Sequence, residues 1–587
     1  MPREHTWRYV MMAAAFGVVA VLILWKTFNI QRSPEAAVFL DQSEYYSRLL
    51  KVVYPPRGEI FDRNGNLLAG NRTVYEIGIE LASVQDPKAI ALALSALVGT
   101  DYNYALQVAS QPPSADSIYA VVDDFVLPEK IDLLKAYDVN REPEDGDSLR
   151  CSNDPALVAL ICRPHLARSY PERDLASNVL GFVNRESVGN FGVEQEYQDL
   201  LAGLPEDIWV PTDPNRVQEL PTVPPGASLV LTIDREIQAM TQQVLEEHVQ
   251  TSGSDSGTAI VMDPKTGEIL AMVSTPRMDL NDYSHYEDIY TETVPYNRAV
   301  GQIYEPGSIF KVVTMAAALD LGLVTPDTVF LDQGVYQIGG ITIHNWNGQA
   351  WGPQTMLGCM QHSLNVCLAW VGNEVGSENF YRYVNAFGFG APSGVDLGGE
   401  QNGTVKRPGD SDWYPADLGT NAFGQGIAVT PIQMVMAVTA FINDGQMVIP
   451  HVVKSVIQDG AQYNISPQFA GQPISAETAH TLTELLATSL ESESSAALVS
   501  GYRLAGKTGT AQIPNEGGYT LEQTNTSFVG WGPVDDPCFL VYVWLEKPDT
   551  SIWASVVTAP VFADIVDHLV VLMNIPPDNQ RQELAAQ

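Results

Sequence analysis

A chain of 587 residues is too long for one hydrophobic core and predicts two or more domains, with 45% hydrophobic residues to fill them. Its 70 acidic and 32 basic residues leave a net charge of −38, which excludes nucleic acid as a partner and broad electrostatic attachment to anionic lipid. Any anionic substrate group must therefore be met by a local basic cluster.

Residues 9–25 carry no charge and match the short end of a membrane-spanning helix. Trp25-Lys26-Thr27-Phe28 follows, where a cleaved signal peptide would show small residues, so the run reads as an uncleaved anchor. Arg3 and Arg8 precede it and Lys26 and Arg32 follow, a near tie in the positive-inside count. The short leader, residues 1–8, favours a cytoplasmic N-terminus with the bulk outside. Residues 26–56 read as a mixed linker with a short helix. Asn64-Gly65, between Ile60-Phe61 and Leu67-Leu68, is a hairpin signal. Residues 72–150 alternate short strands and helical patterns, with a Pro/Glu/Asp loop near 142–147 and nothing catalytic. In 168–203, Glu194 and Glu196 resemble a carboxylate pair, but no reactive partner is near, so structural charge pairing is expected. Residues 204–225, rich in Pro, Asp and Thr, read as an interdomain linker.

Beyond this point a regular pattern begins. Residues 228–233 predict a strand, and Asp234 caps a helix with Ile237, Met240, Val244 and Leu245 on one face. Strands at 258–262 and 268–273 flank a turn at 263–267. Helices dominate from about 308 to 450. Strands at 503–512, 527–534 and 539–546 form a meander, and 561–573 is a closing amphipathic helix before a polar tail at 576–587. This order predicts an α+β fold, an antiparallel sheet covered by helices. Of the five cysteines, Cys151 and Cys162 are close in sequence and form a candidate bridge in an oxidising compartment. Cys359, Cys367 and Cys538 lie in apolar surroundings and read as inert core residues. No spaced Cys/His set predicts a metal, and no cofactor is expected.

The chemistry centres on Tyr304-Glu305-Pro306-Gly307-Ser308-Ile309-Phe310-Lys311. The apolar run after it reads as a buried helix, with Pro306-Gly307 as the turn before it. Ser308 and Lys311, three apart, share a helix face. A neutral amine there can take the proton of an attacking hydroxyl. Ser363-Leu364-Asn365 and Lys507-Thr508-Gly509-Thr510 follow, giving the order Ser-x-x-Lys, Ser-x-Asn, Lys-Thr-Gly. His362, beside Ser363, raises a Ser-His arrangement, but a neighbouring side chain usually points elsewhere. Asp263, Asp279 and Asp282 read as turn residues.

With RGEIFDRNGNLLA, RSYP…GVEQEY, TAIVMDPKTGEILAMVS, NAFGQGIAVTPIQM and GKTGTAQ…SFVGWGP, these motifs make the chain resemble the class B penicillin-binding proteins over nearly its full length. It departs after Tyr170-Pro171, where Glu172-Arg173 stand in place of the usual nearby glycine. The resemblance implies a transmembrane anchor (9–25), an elongated non-catalytic pedestal or dimerisation domain (57–222) and a penicillin-binding domain of the serine β-lactamase fold (226–575). No room remains before residue 226 for a glycosyltransferase domain. It implies a D,D-transpeptidase that cross-links peptidoglycan stem peptides and binds β-lactams. Ser308 is the nucleophile and Lys311 its base. Ser363 relays a proton to the leaving amine, and Asn365 holds the substrate amide. Lys507 and Thr508 take the terminal carboxylate. The strand with Gly509 and Thr510 accepts the peptide edge to edge. The backbone N–H groups of Ser308 and Thr510 form the oxyanion hole. The implied partner is a polytopic membrane glycosyltransferase of the shape or division type. A D,D-carboxypeptidase, a β-lactamase, a β-lactam sensor and a non-catalytic scaffold are the alternatives; the large pedestal, the short leader and the intact motifs weigh against them.

Overall fold

The computed structural model describes residues 6–33, 48–114, 118–136, 149–152, 154–211, 223–291, 293–493, 495–515 and 518–585. The 142–147 loop, and parts of the leader, of both expected linkers and of the tail, lie outside the described residues. The chain divides into two units.

The first unit comprises residues 1–56 and 202–226. Its helix, Thr6–Arg32, is longer than the uncharged run and continues through Lys26 to Arg32. One such apolar helix, of mean hydropathy 2.0, is compatible with a single-pass anchor. Both expected linkers contain strand. Arg48–Val53 and Glu206–Pro211 pair antiparallel, Leu50 opposite Trp209. Leu49-Leu50 and Ile208-Trp209-Val210 supply β-forming residues that the surrounding Pro and Asp obscured.

The second unit comprises residues 57–201 and 227–587. Its main sheet has five strands: β1 (Ser256–Met262), β2 (Ile269–Ser274), β3 (Ala505–Asn515), β4 (Gly518–Gly532) and β5 (Phe539–Glu546). The order is β2-β1-β5-β4-β3, antiparallel throughout, so β3 is an edge strand. The helices used below are α1 (Arg235–Ser252), α2 (Lys311–Asp320), α3 (Met356–Gln361), α4 (Asn365–Val375), α5 (Ala476–Glu493) and α6 (Ala554–Leu572). Alternation along the strands builds a core on each face. Val541, Val543 and Leu545 pack with α1 and α6, while Leu540, Tyr542 and Trp544 face the helical block. Asp234 caps α1 as expected, accepting from the N–H groups of Glu236 and Ile237. The closing helix starts at Ala554, earlier than expected, and tolerates Pro560 within its first two turns. The polar tail is folded: Asp578–Ala585 is a helix, and Asp578 Oδ2 accepts from Arg503 N–H at 2.6 Å.

A seven-stranded sheet crosses the expected pedestal boundary. Ile60–Phe61 pairs antiparallel with Leu67–Glu80 about Asn64-Gly65, as predicted, and parallel with Ser228–Leu231. Val453–Gln458 pairs on the other side of Ser228–Leu231. Tyr119–Val126 and Leu160–Ser169 both pair with Leu67–Glu80. Glu194 is 0% exposed, between Arg57 Nε at 2.7 Å and Arg168 Nε at 2.6 Å. That is the structural charge pairing expected of Glu194, held in a dry interior by two guanidinium bonds, while Glu196 is exposed. Cys151 and Cys162 are joined, S–S 2.08 Å, within a third apolar cluster.

Candidate active site

The turn before α2 is braced by the 421–434 stretch. Gly307 has φ +56°, and its N–H donates to Gly424 O at 2.9 Å. A Cβ on Gly424 would lie 2.1 Å from Gly307 O, so only glycine fits. Tyr304 and Val429 exchange two backbone hydrogen bonds, 3.0 and 2.9 Å, and Glu305 Oε1 accepts from Gly426 N–H at 3.0 Å. Ser308 falls in the 3-10 turn Gly307–Phe310, and Lys311 opens α2. Eight consecutive residues of α2, Lys311 to Ala318, are buried, six of them apolar, as a helix inside a core requires.

Two residues break that apolarity: Thr314, whose Oγ1 donates to Ala422 O at 2.7 Å, and Lys311. It is 0% exposed, and its Nζ lies 2.7 Å from Ser363 O, 2.8 Å from Asn365 Oδ1 and 3.1 Å from Ser363 Oγ. Burial, and after it the Lys507 charge, hold its pKa well below the usual lysine value. A neutral amine has two N–H donors and one lone pair. The two carbonyl oxygens use the donors, which leaves the lone pair for a hydroxyl proton. Lys507 is 5% exposed, and its Nζ donates to the same Ser363 Oγ at 3.1 Å. Ser363 Oγ therefore stands between the two amines.

Ser363 is held there by a helix terminus. It occupies the position after the C-cap of α3, where Schellman motifs favour glycine. Its N–H reaches Met360 O at 3.3 Å, Leu364 N–H reaches Cys359 O at 2.9 Å, and its φ is +52°. A left-handed serine is strained, and such strain concentrates at functional sites. Cys359 and Cys367 correct the inert-core expectation: they are bonded to each other, S–S 2.00 Å, eight residues apart. An apolar setting is as suitable for a disulfide as for two thiols, so local composition could not separate them. This bond ties α3 to α4 across Ser363 and Asn365. Cys538 is a free thiol, half-buried against the second apolar cluster as its surroundings predict, and it donates to Asp536 O at 3.2 Å.

Ser308, Ser363, Asn365, Lys507, Thr508 and Thr510 line one cleft of about 630 Å³. Lys311 lies beneath its surface. Gly509 has no room for a side chain: a Cβ would meet Ser527 Oγ at 2.3 Å. The edge β3 presents Lys507 to Thr510 along one wall. His362 lines the cleft with its ring stacked on Trp351, centroids 4.3 Å apart. Asp263 and Asp279 each accept a backbone N–H two residues on, at 2.9 Å, as turn residues do. Among the cleft residues that carried no motif signal are two tryptophans. Trp346 and Trp553 meet edge to face at 5.1 Å, Trp346 donating to His362 O and Ala554 N–H donating to Thr510 Oγ1. Lone loop tryptophans have no spacing that marks them.

A buried lysine of lowered pKa between two hydroxyl-bearing motifs, with a second amine beside it, is the arrangement of an acyl-transferring serine enzyme. Residues 257–567 match the penicillin binding protein transpeptidase domain and 52–217 the penicillin-binding protein dimerisation domain, so the chain belongs to the class B penicillin-binding proteins. It is similar to stage V sporulation protein D of Bacillus subtilis, 32% identical over 90% of this chain and 80% of that protein. Peptidoglycan D,D-transpeptidase FtsI of Escherichia coli is 26% identical over 98% and 93%. The crystal structure of penicillin-binding protein 3 from Mycobacterium tuberculosis with aztreonam superposes with a TM-score of 0.68, at 26% identity over 90% of this chain and 98% of that one.

Proposed function

We propose that this chain cross-links peptidoglycan stem peptides through an acyl-enzyme on Ser308. The observation that carries the reading is Lys311: fully buried, its donors spent on Ser363 O and Asn365 Oδ1, and a second ammonium nearby. Ser308 Oγ attacks the carbonyl between two D-alanines, and its proton passes to Lys311. The N–H groups of Ser308 and Thr510 stabilise the oxyanion. Ser363 relays a proton to the departing amine, the C–N bond breaks, and D-alanine leaves. The amine of a second stem peptide then attacks the ester, and Ser308 regains its proton. Asn365 holds Lys311 and the substrate amide, while Lys507 and Thr508 take the terminal carboxylate. Penicillin acylates the same serine.

The helix Thr6–Arg32 anchors the chain with its N-terminus in the cytoplasm. Two disulfides beyond it support an extracytoplasmic location for the remainder. Residues 57–222 serve as the pedestal and 226–575 as the catalytic domain. A polytopic membrane glycosyltransferase, which supplies the glycan strands to be joined, docks on the anchor and pedestal.

Intact-mass spectrometry with labelled penicillin tests the central claim. A single adduct is expected on the full chain in detergent and none on Ser308→Ala. An adduct that survives the substitution would overturn the assignment.

A further inference from the structure

A second cleft in the same unit, of about 640 Å³, shares no lining residue with the first. Its walls come from Leu67–Glu80, Tyr119–Val126 and Leu160–Ser169 and from the loops around Arg185 and Asp282. Arg72, Arg163, Arg168, Arg185 and His165 line it, against the sign of a chain with net charge −38. Two of its carboxylates face basic side chains, and the third, Asp282, holds only a hydroxyl. Glu76 accepts from Tyr119 OH at 2.7 Å and lies 3.8 Å from Arg163, Asp124 lies 2.7 Å from His165 Nε2, and Asp282 accepts from Ser284 Oγ at 2.8 Å. Arg72 and Arg185 are exposed, with no carboxylate partner among the described residues. Arg168, whose side chain is 3% exposed, bonds Glu194 and Gly58 O but leaves Nη2 without a partner among the described residues.

The arginines are also pre-oriented. Phe125 has φ +58°, a strained backbone for a bulky residue. Its ring meets His165 edge-on at 5.3 Å and lies 5.6 Å from the Arg185 guanidinium carbon. Arg163 lies over the Tyr119 ring at 4.2 Å. Ring contacts of this kind fix a guanidinium plane while leaving N–H donors for a ligand, and two such donors suit a carboxylate or phosphate.

We propose that this cleft is a second binding site, for a carboxylate- or phosphate-bearing segment of the cell-wall material on which the catalytic cleft acts. The choice of material rests on the transpeptidase reading; the site itself rests on the arginine cleft. The anionic group has two sources, stem-peptide carboxylates or the diphosphate of a lipid-linked precursor.

The test uses the full chain in detergent, first treated with penicillin to block the catalytic cleft, the adduct being checked by mass. A fluorescent disaccharide–pentapeptide is then titrated by anisotropy. Saturable binding to the blocked protein is expected, weakening as salt is raised and at least about tenfold weaker in Arg72→Ala/Arg185→Ala, since each lost bond is to a charged group. Both side chains are exposed, and a thermal melt checks that the variant is folded. A second titration, with a disaccharide–pentapeptide that carries a diphosphate, separates the sources: tighter binding than the first probe assigns the diphosphate, and equal binding assigns the carboxylates. No saturable binding of either probe to the blocked protein, or equal binding by the folded double variant, overturns the proposal. A missing penicillin adduct would count against the catalytic reading instead and leave the wild-type-to-variant comparison intact.

Discussion

An amine buried beside a second cation pays a penalty for every proton it holds, and Lys311 is in that position. Its pKa is lowered first by burial and then by Lys507. Between the native pKa and the unfolded value of 10.5, the unfolded chain binds more protons than the folded one, so stability rises with pH across that window. Below the native pKa both states hold the proton and the penalty is present in full. Activity follows the neutral form, so the penicillin acylation rate rises with pH on its acid limb. Removing the second cause with Lys507→Gln should move that limb to higher pH. An unmoved limb in the rate–pH profile would show that Lys507 does not tune the base. Ser363 offers a separate test, because its hydroxyl and its left-handed backbone make opposite demands. Ser363→Gly should be more stable than Ser363→Ala by about 1 kcal/mol, since only glycine relieves the strain. Both should slow acylation on the order of a hundredfold or more, the usual scale of a lost proton relay. Denaturant midpoints and acylation rates on the two variants measure these effects.

At the scale of elements, the site is a junction of parts that do not touch in sequence. The 3-10 turn and α2 bring Ser308 and Lys311, the α3–α4 corner brings Ser363 and Asn365, and the edge of β3 brings Lys507 and Thr508. The Cys359–Cys367 bond closes the corner on which both members of the second motif sit. Replacing both cysteines by alanine should cost about 2–3 kcal/mol through the freed loop of the unfolded chain. Acylation should fall as well, since Ser363 and Asn365 position the base. If the rate on the folded double variant equals that of the wild type, the bond is a stabiliser and nothing more.

For the whole molecule, the proposed catalytic residues all belong to the unit that holds residues 57–201 and 227–587. The two cores on either side of the five-stranded sheet fix the edge strand against the helical block. Deleting residues 1–33 should therefore leave the acylation rate unchanged. The same deletion should move the protein from the detergent to the aqueous phase in a partition assay, because the remaining chain is strongly acidic and lacks the exposed apolar helix. A full chain that partitions into water would contradict the anchor.

Local pattern determined much of this protein. The apolar run after Ser308, the Asn64-Gly65 hairpin, the Asp234 cap and the strands of the meander follow from periodicity and turn chemistry within a few residues. The three motifs could be assigned roles for the same reason: hydroxyl, amine and amide carry their chemistry in their own atoms. Tertiary structure decided what depends on neighbours far along the chain. The pKa of Lys311 is lowered because distant segments exclude water and bring Lys507 near. Glycine at 424 is required by the carbonyl of Gly307. The Cys359–Cys367 bond, the ribbon within both linkers and the sheet that crosses the pedestal boundary are long-range or geometric pairings. No local spacing encodes which distant backbone or sulfur a residue will meet, since that choice is made by packing the whole core at once.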